Sequence, residues 1–69
     1  MVFTESIDYH ANHIGAIRIN KDRLIGECNV DIEITEKRFG EYQTIEISGN
    51  SKNIREVKNK LNEIIEIAS

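Results

Sequence analysis

Five residues in the middle of the chain, Val30-Asp31-Ile32-Glu33-Ile34, alternate strictly between apolar and acidic. A strand repeats every two residues, so this run sends Val30, Ile32 and Ile34 to one face and the two carboxylates to the other. Tyr42 to Ser48 supplies a second alternating run, in which Ile45 and Ile47 flank Glu46. Between the two, Glu36-Lys37-Arg38-Phe39-Gly40-Glu41 reads as a polar connection with a glycine. A hairpin is the economical arrangement.

The rest of the chain must cover the apolar face of that hairpin. Gly49-Asn50-Ser51 is a stop and a start signal together, and Asn50 or Ser51 can cap a long final helix. On that helix Ile54, Val57, Leu61, Ile64 and Ile65 recur at helical spacing, with Lys52, Glu56 and Lys60 opposite. This helix is expected to be the longest. Upstream, Val2 to Ile7 reads as an edge strand. Asp8 is placed to cap a short helix from Tyr9 to Ile14, which Gly15 ends. A second helix is expected from about Ile19 to Cys28, with Leu24 and Cys28 on one face and Lys21 and Arg23 wet. Asn29 tolerates the left-handed backbone that ends many helices. The pattern predicts an α+β domain: a three-stranded antiparallel sheet with three helices packed on one face. Ile32, Ile34, Ile45 or Ile47, Val57, Leu61 and Ile64 should be buried.

A chain of 69 residues is enough for one small domain, spanning residues 1–69, and suits a module of a longer protein. With 39% hydrophobic and 30% charged residues it reads as soluble and globular. No apolar run reaches the length of a membrane span and no signal-peptide pattern is visible. Cys28 is the single cysteine, which excludes an internal disulfide and a cysteine-built zinc site. The expected setting is therefore a reducing one, cytoplasmic or nuclear. Cys28 itself fits a small core residue, since free cysteine is among the most buried types. His10 and His13 are three apart, a spacing that can hold a metal, but no third ligand accompanies them. No catalytic constellation is readable, so an enzyme is not expected, nor is a cofactor or metal. The formal charge of −3 argues against a general nucleic-acid coat, which needs an excess of Lys and Arg.

The ordered set of motifs nonetheless resembles one family. Ile14-Gly15 matches the start of a GxxG loop. Glu27-Cys28-Asn29-Val30 stands where that family often has Glu-Thr-Gly-Val, and Ile32 and Ile34 follow. Thr44-Ile45-Glu46-Ile47-Ser48-Gly49 and the helix after it fit closely. The chain is similar to the type I KH domain over almost its whole length, without gaps from Ile14 to Ile34. Tyr9-His10 before the loop looks most like the repeats of vigilin-like multi-KH proteins. The resemblance implies a βααββα fold and binding of single-stranded RNA or DNA, about four nucleotides long. It implies a groove between the first two helices with their GxxG loop on one side, and the next strand with its variable loop on the other.

Transferred by position, the loop is Gly15-Ala16-Ile17-Arg18, with the second glycine replaced by arginine. The Arg18 side chain hinders close approach of a sugar-phosphate backbone, yet its guanidinium can pair with phosphate. The residues expected to meet nucleic acid are Gly15, Ala16, Ile17 and Arg18 in the loop, and Lys21 and Arg23 for phosphate. Ile32 and Ile34 form the groove floor or the core, and Lys37 and Arg38 stand on the variable loop. Phe39 and Tyr42 either stack on a base or pin the hairpin. From Gly15 to Arg38 five basic residues face five acids, so the grip is expected to be weak. The expected function is a weak single-strand RNA or DNA binding module, with neighbouring KH domains or a protein partner as further contacts. The alternative is a KH-derived module for protein contact or dimerisation that has lost nucleic-acid binding.

Overall fold

The computed structural model describes residues 1–68. Five elements follow one another: β1 (Phe3–His10), α1 (Ala11–Cys28), β2 (Asp31–Phe39), β3 (Tyr42–Gly49) and α2 (Ser51–Ala68). The strands form one antiparallel sheet in the order β1-β3-β2. One face of the sheet buries Tyr9, Ile32, Ile45 and Ile47 against Ile14, Ile17, Leu24 and Cys28 of α1 and Ile54, Val57 and Leu61 of α2. The other face is polar and carries cross-strand bonds. Thr44 Oγ1 donates to Asp8 Oδ1 at 2.7 Å, and the Thr4 and Ser48 hydroxyls lie 3.0 Å apart.

The expected antiparallel sheet is present, but the βααββα arrangement with three helices is overturned. Among the described residues there are two helices, in the order βαββα. The two short helices expected around Gly15 are one continuous helix of 18 residues. Gly15, Ala16, Ile17 and Arg18 lie inside it and form no loop. The reason is packing. Ile14, Ile17, Leu24 and Cys28 keep one helical phase across Gly15, and all four are buried on the sheet. A glycine in a helix interior costs only about 1 kcal/mol relative to alanine, less than burying one large side chain gains.

The start of α1 is corrected with it. Asp8 belongs to β1, and His10 is the cap, its Nδ1 accepting from the Asn12 N–H at 3.1 Å. The Ala11 N–H donates to the Glu41 carbonyl oxygen at 2.8 Å, which ties the helix start to the hairpin turn. At the other end Asn29 adopts the left-handed conformation, φ 53° and ψ 50°. β1 runs to His10 rather than Ile7, and β2 continues through the stretch read as a polar connection. The hairpin turn shrinks to Gly40-Glu41, with Phe39 paired to Tyr42 and Gly40 at φ 63°. Positive φ at the first central residue is what a tight hairpin asks of glycine. Asn50 caps α2 by accepting from the Asn53 N–H at 2.8 Å. α2 equals α1 in length, 18 residues each, so it is not the longest helix. Ile34 and Ile64 are only partly buried, packed at the margin of the core.

Two substitutions test this packing. A Cβ at Gly15 would meet nothing within 4 Å. Gly15→Ala should therefore stabilise the fold by about 1 kcal/mol in a urea titration, because the residue is helical; a loss of stability would contradict the continuous helix. Leu61→Ala, in the fully buried row, should cost about 2–5 kcal/mol.

Candidate nucleic-acid interface

A groove of about 500 Å³ runs between α1 and β2. Arg18 and Lys21 line its helix side; Ile32, Ile34, Arg38 and Gln43 line its sheet side, with Asp31, Glu33 and Glu36 at the rim. It continues past Arg18 and Arg38 into a second lobe of about 290 Å³ beside Gly15 and Tyr42. Arg18, Arg38 and Gln43 border both lobes.

Arg38 reaches the groove because β2 is irregular. Ile34 pairs with Ile45 and Arg38 with Gln43, so Thr35, Glu36 and Lys37 stand opposite Thr44 alone. Such a bulge re-aims the residues after it. It is held from both strands. Thr35 Oγ1 donates to the Thr44 carbonyl oxygen at 2.7 Å, the Lys37 N–H donates back to Thr35 Oγ1 at 3.2 Å, and Gln43 Nε2 donates to the Thr35 carbonyl oxygen at 2.7 Å. Paired with the inward-facing Gln43, Arg38 is exposed and lines the groove beside α1.

The residues expected to meet nucleic acid thus divide. Arg18, Lys21, Ile32, Ile34 and Arg38 share the first lobe, and Gly15 joins Arg18 and Arg38 in the second. Ile17 is fully buried and belongs to the core. Ala16 lies away from both lobes, and its carbonyl oxygen accepts from Asn20 Nδ2 at 2.8 Å. Arg23 donates to Asn20 Oδ1 at 2.9 Å and also stays outside the groove. Lys37 projects from the bulge. Sequence reasoning missed Gln43. Its signal was present, since Gln43, Ile45 and Ile47 follow one another at strand spacing and so share the inward face.

Charge decides what this groove can hold. No ion pair or side-chain hydrogen bond engages Arg18, Lys21 or Arg38 among the described residues. The cations that are paired lie elsewhere: Lys58 meets Glu5 at 3.0 Å and Lys60 meets Glu27 at 3.5 Å. Backbone donors are not on offer along α1, because its interior N–H groups bond within the helix. At the hairpin end Tyr42 packs edge-on against His10, ring centroids 5.6 Å apart, and is half exposed. Phe39 is 84% exposed and touches nothing comparable. His10 is occupied twice over: Nδ1 caps α1, and Nε2 lies 3.1 Å from Glu41 Oε2.

Cys28 and Tyr9 stand apart from the groove. Burial pushes the Cys28 thiol up, with Glu56 adding to the effect, Lys60 opposing it and Glu27 adding again. Burial, with help from Glu5, likewise pushes the Tyr9 phenol up. Both groups hold their protons longer when folded than when unfolded. Their contribution to stability is complete below the ordinary thiol range and is lost as pH rises, so stability should decline above about pH 8.5. A thiol reagent at pH 8 should modify Cys28 no faster than the chain unfolds. Fast labelling of the folded protein would contradict a buried, protonated thiol. Compared with known proteins, the chain matches no family model and no curated sequence.

Proposed function

We propose that the chain is a divergent relative of KH modules that binds single-stranded RNA or DNA weakly, in the groove between α1 and β2, without catalysing a reaction. One observation carries the reading: Arg18 and Arg38 flank a single groove from opposite sides, and neither guanidinium is engaged by a carboxylate. An arginine fork matches phosphate geometry, so the pair supplies a pinch for a strand's backbone, with Lys21 as a third point charge. Ile34 and Tyr42 add apolar surface on which bases can lie.

The same geometry limits affinity. Asp31, Glu33 and Glu36 rim the first lobe, so three carboxylates offset three cations. No helix among the described residues is long and apolar enough to cross a membrane. A cytoplasmic or nuclear setting suits both a lone thiol and a nucleic-acid ligand. Neighbouring modules in a longer protein would add to the weak grip.

Titration with short labelled single strands tests the reading. Affinity should be micromolar or weaker at physiological salt. Its logarithm should fall with log salt at a slope of about −1.4 to −2.1, for two or three phosphate contacts at about −0.7 each. Arg18→Ala and Arg38→Ala should each weaken binding and make the slope shallower by about 0.7. Glu33→Gln should tighten binding, and it also relieves a like-charge pair, because Glu33 stands directly opposite Glu46. Binding that ignores both arginine substitutions would overturn the proposal, and the protein-contact reading would replace it.

A further inference from the structure

The bulge in β2 takes Thr35 out of the regular ladder, and the Gln43 side chain meets its carbonyl oxygen at 2.7 Å. Only the NH₂ end of an amide can donate to a carbonyl, so this bond fixes which way round the Gln43 amide sits. Its oxygen, Oε1, is left as an acceptor. Gln43 is 7% exposed, the one polar residue in the buried set among the described residues. No group among them donates to Oε1. Nor is that oxygen sealed away, since no fully buried side-chain oxygen or nitrogen of the described residues lacks a partner. Gln43 borders both lobes of the groove, as do Arg18 and Arg38. The free acceptor therefore belongs to a side chain that lines both lobes and keeps some access to solvent.

We infer that Gln43 is a specificity-determining residue, whose Oε1 accepts a hydrogen bond from the exocyclic amino group of a base held between Arg18 and Arg38. The inference rests on the nucleic-acid reading above and adds to it a class of base. Adenine, cytosine and guanine carry an amino group that projects from the ring and can reach a recessed acceptor. Uracil and thymine offer only a ring N–H set between two carbonyl oxygens. That N–H can reach Oε1 only along one head-on approach between two acceptors, so it is a poorer donor to a recessed oxygen than a projecting amino group is. A buried acceptor that loses water and gains no donor is costly, which is how a polar site rejects a ligand lacking the matching group.

The experiment uses the full chain and fluorescence anisotropy with short homopolymers of A, C and U, and a fourth strand of purine nucleotides. Purine has the adenine ring without its amino group. A and C strands should bind about tenfold tighter than U, and A about tenfold tighter than purine. Gln43→Met, with folding checked by circular dichroism, also removes the bond to the Thr35 carbonyl oxygen, so its readout is the ratio between strands: A, purine and U should come within about twofold of one another, whatever the common change in affinity. Should that variant fail to fold, the comparison of A with purine on the unaltered chain decides alone. Equal binding of A and purine, with both weakened by Arg18→Ala, would overturn the role of Gln43 and leave the groove standing. No binding of any strand would overturn the groove and the inference together.

Discussion

The position of β3 between β1 and β2 is the constraint on which the rest depends. Being paired on both edges, it must present a single inward row, and that row is Gln43, Ile45, Ile47 and Gly49. Ile45 and Ile47 are fully buried and meet both helices, so this short segment is the common floor for α1 and α2. Gly49 closes the row where Val30 crosses it: a Cβ there would stand 2.9 Å from a Val30 methyl. Gln43 opens the row at the other end, where the core gives way to the groove. One strand thus sets both the hydrophobic layer and the polar boundary of the candidate site. Shifting it by one residue would exchange isoleucine for glutamate and threonine across the whole sheet.

The groove exists because β2 outlasts the core. Its first half is apolar on the inner face and packs. Its second half is charged and survives as a strand through two bonds to β3, from the Thr35 hydroxyl and from the Gln43 amide, with the Lys37 N–H closing the bulge on Thr35 within β2. The hairpin end is then anchored to α1 from outside the core, by the Ala11 bond to Glu41 and the packing of His10 on Tyr42. These polar ties position Arg38 across from Arg18 without using apolar burial.

How much of this was legible follows from the same division. Where apolar periodicity controls the outcome, the sequence told the fold plainly. Val30 to Ile34, Tyr42 to Ser48, the final helix and the Asn29 stop all lie where alternation and helical spacing placed them. Gly15 misled because a local break signal was weighed above a phase that never breaks, from Ile14 through Ile17 and Leu24 to Cys28. Burial outweighs a single glycine, and the loop dissolved into helix. The second half of β2 was hidden for the opposite reason. Its bulge destroys alternation, and its partners are set by side chains on another strand. The His10 cap was equally unreadable, since imidazole is an uncommon cap and Glu41 lies far along the chain. Within the site, Arg18, Lys21 and Arg38 were nameable as cations, but their meeting depends on a bulge that no local pattern announces.

Replacing a loop by a helix changes how such a groove can hold a phosphate. A loop offers backbone N–H groups that are fixed before the ligand arrives, and little entropy is lost in using them. In α1 the N–H groups of the corresponding residues are spent within the helix, so on the proposed reading the grip would pass to side chains. Each long cation gives up rotamer freedom when it closes on a ligand, though the planar arginine fork loses less per bond than lysine does. A side-chain grip is therefore weaker per contact, and it also depends more on salt than on backbone geometry. What the helix provides in exchange is placement. Arg18 rises from a rigid element directly above a sheet whose inward row is fixed by its neighbours, and the opposing Arg38 is held by a bonded bulge. On the proposed reading, a weak pinch with a well-fixed acceptor would discriminate by what lies between the two arginines more than by how strongly they pull.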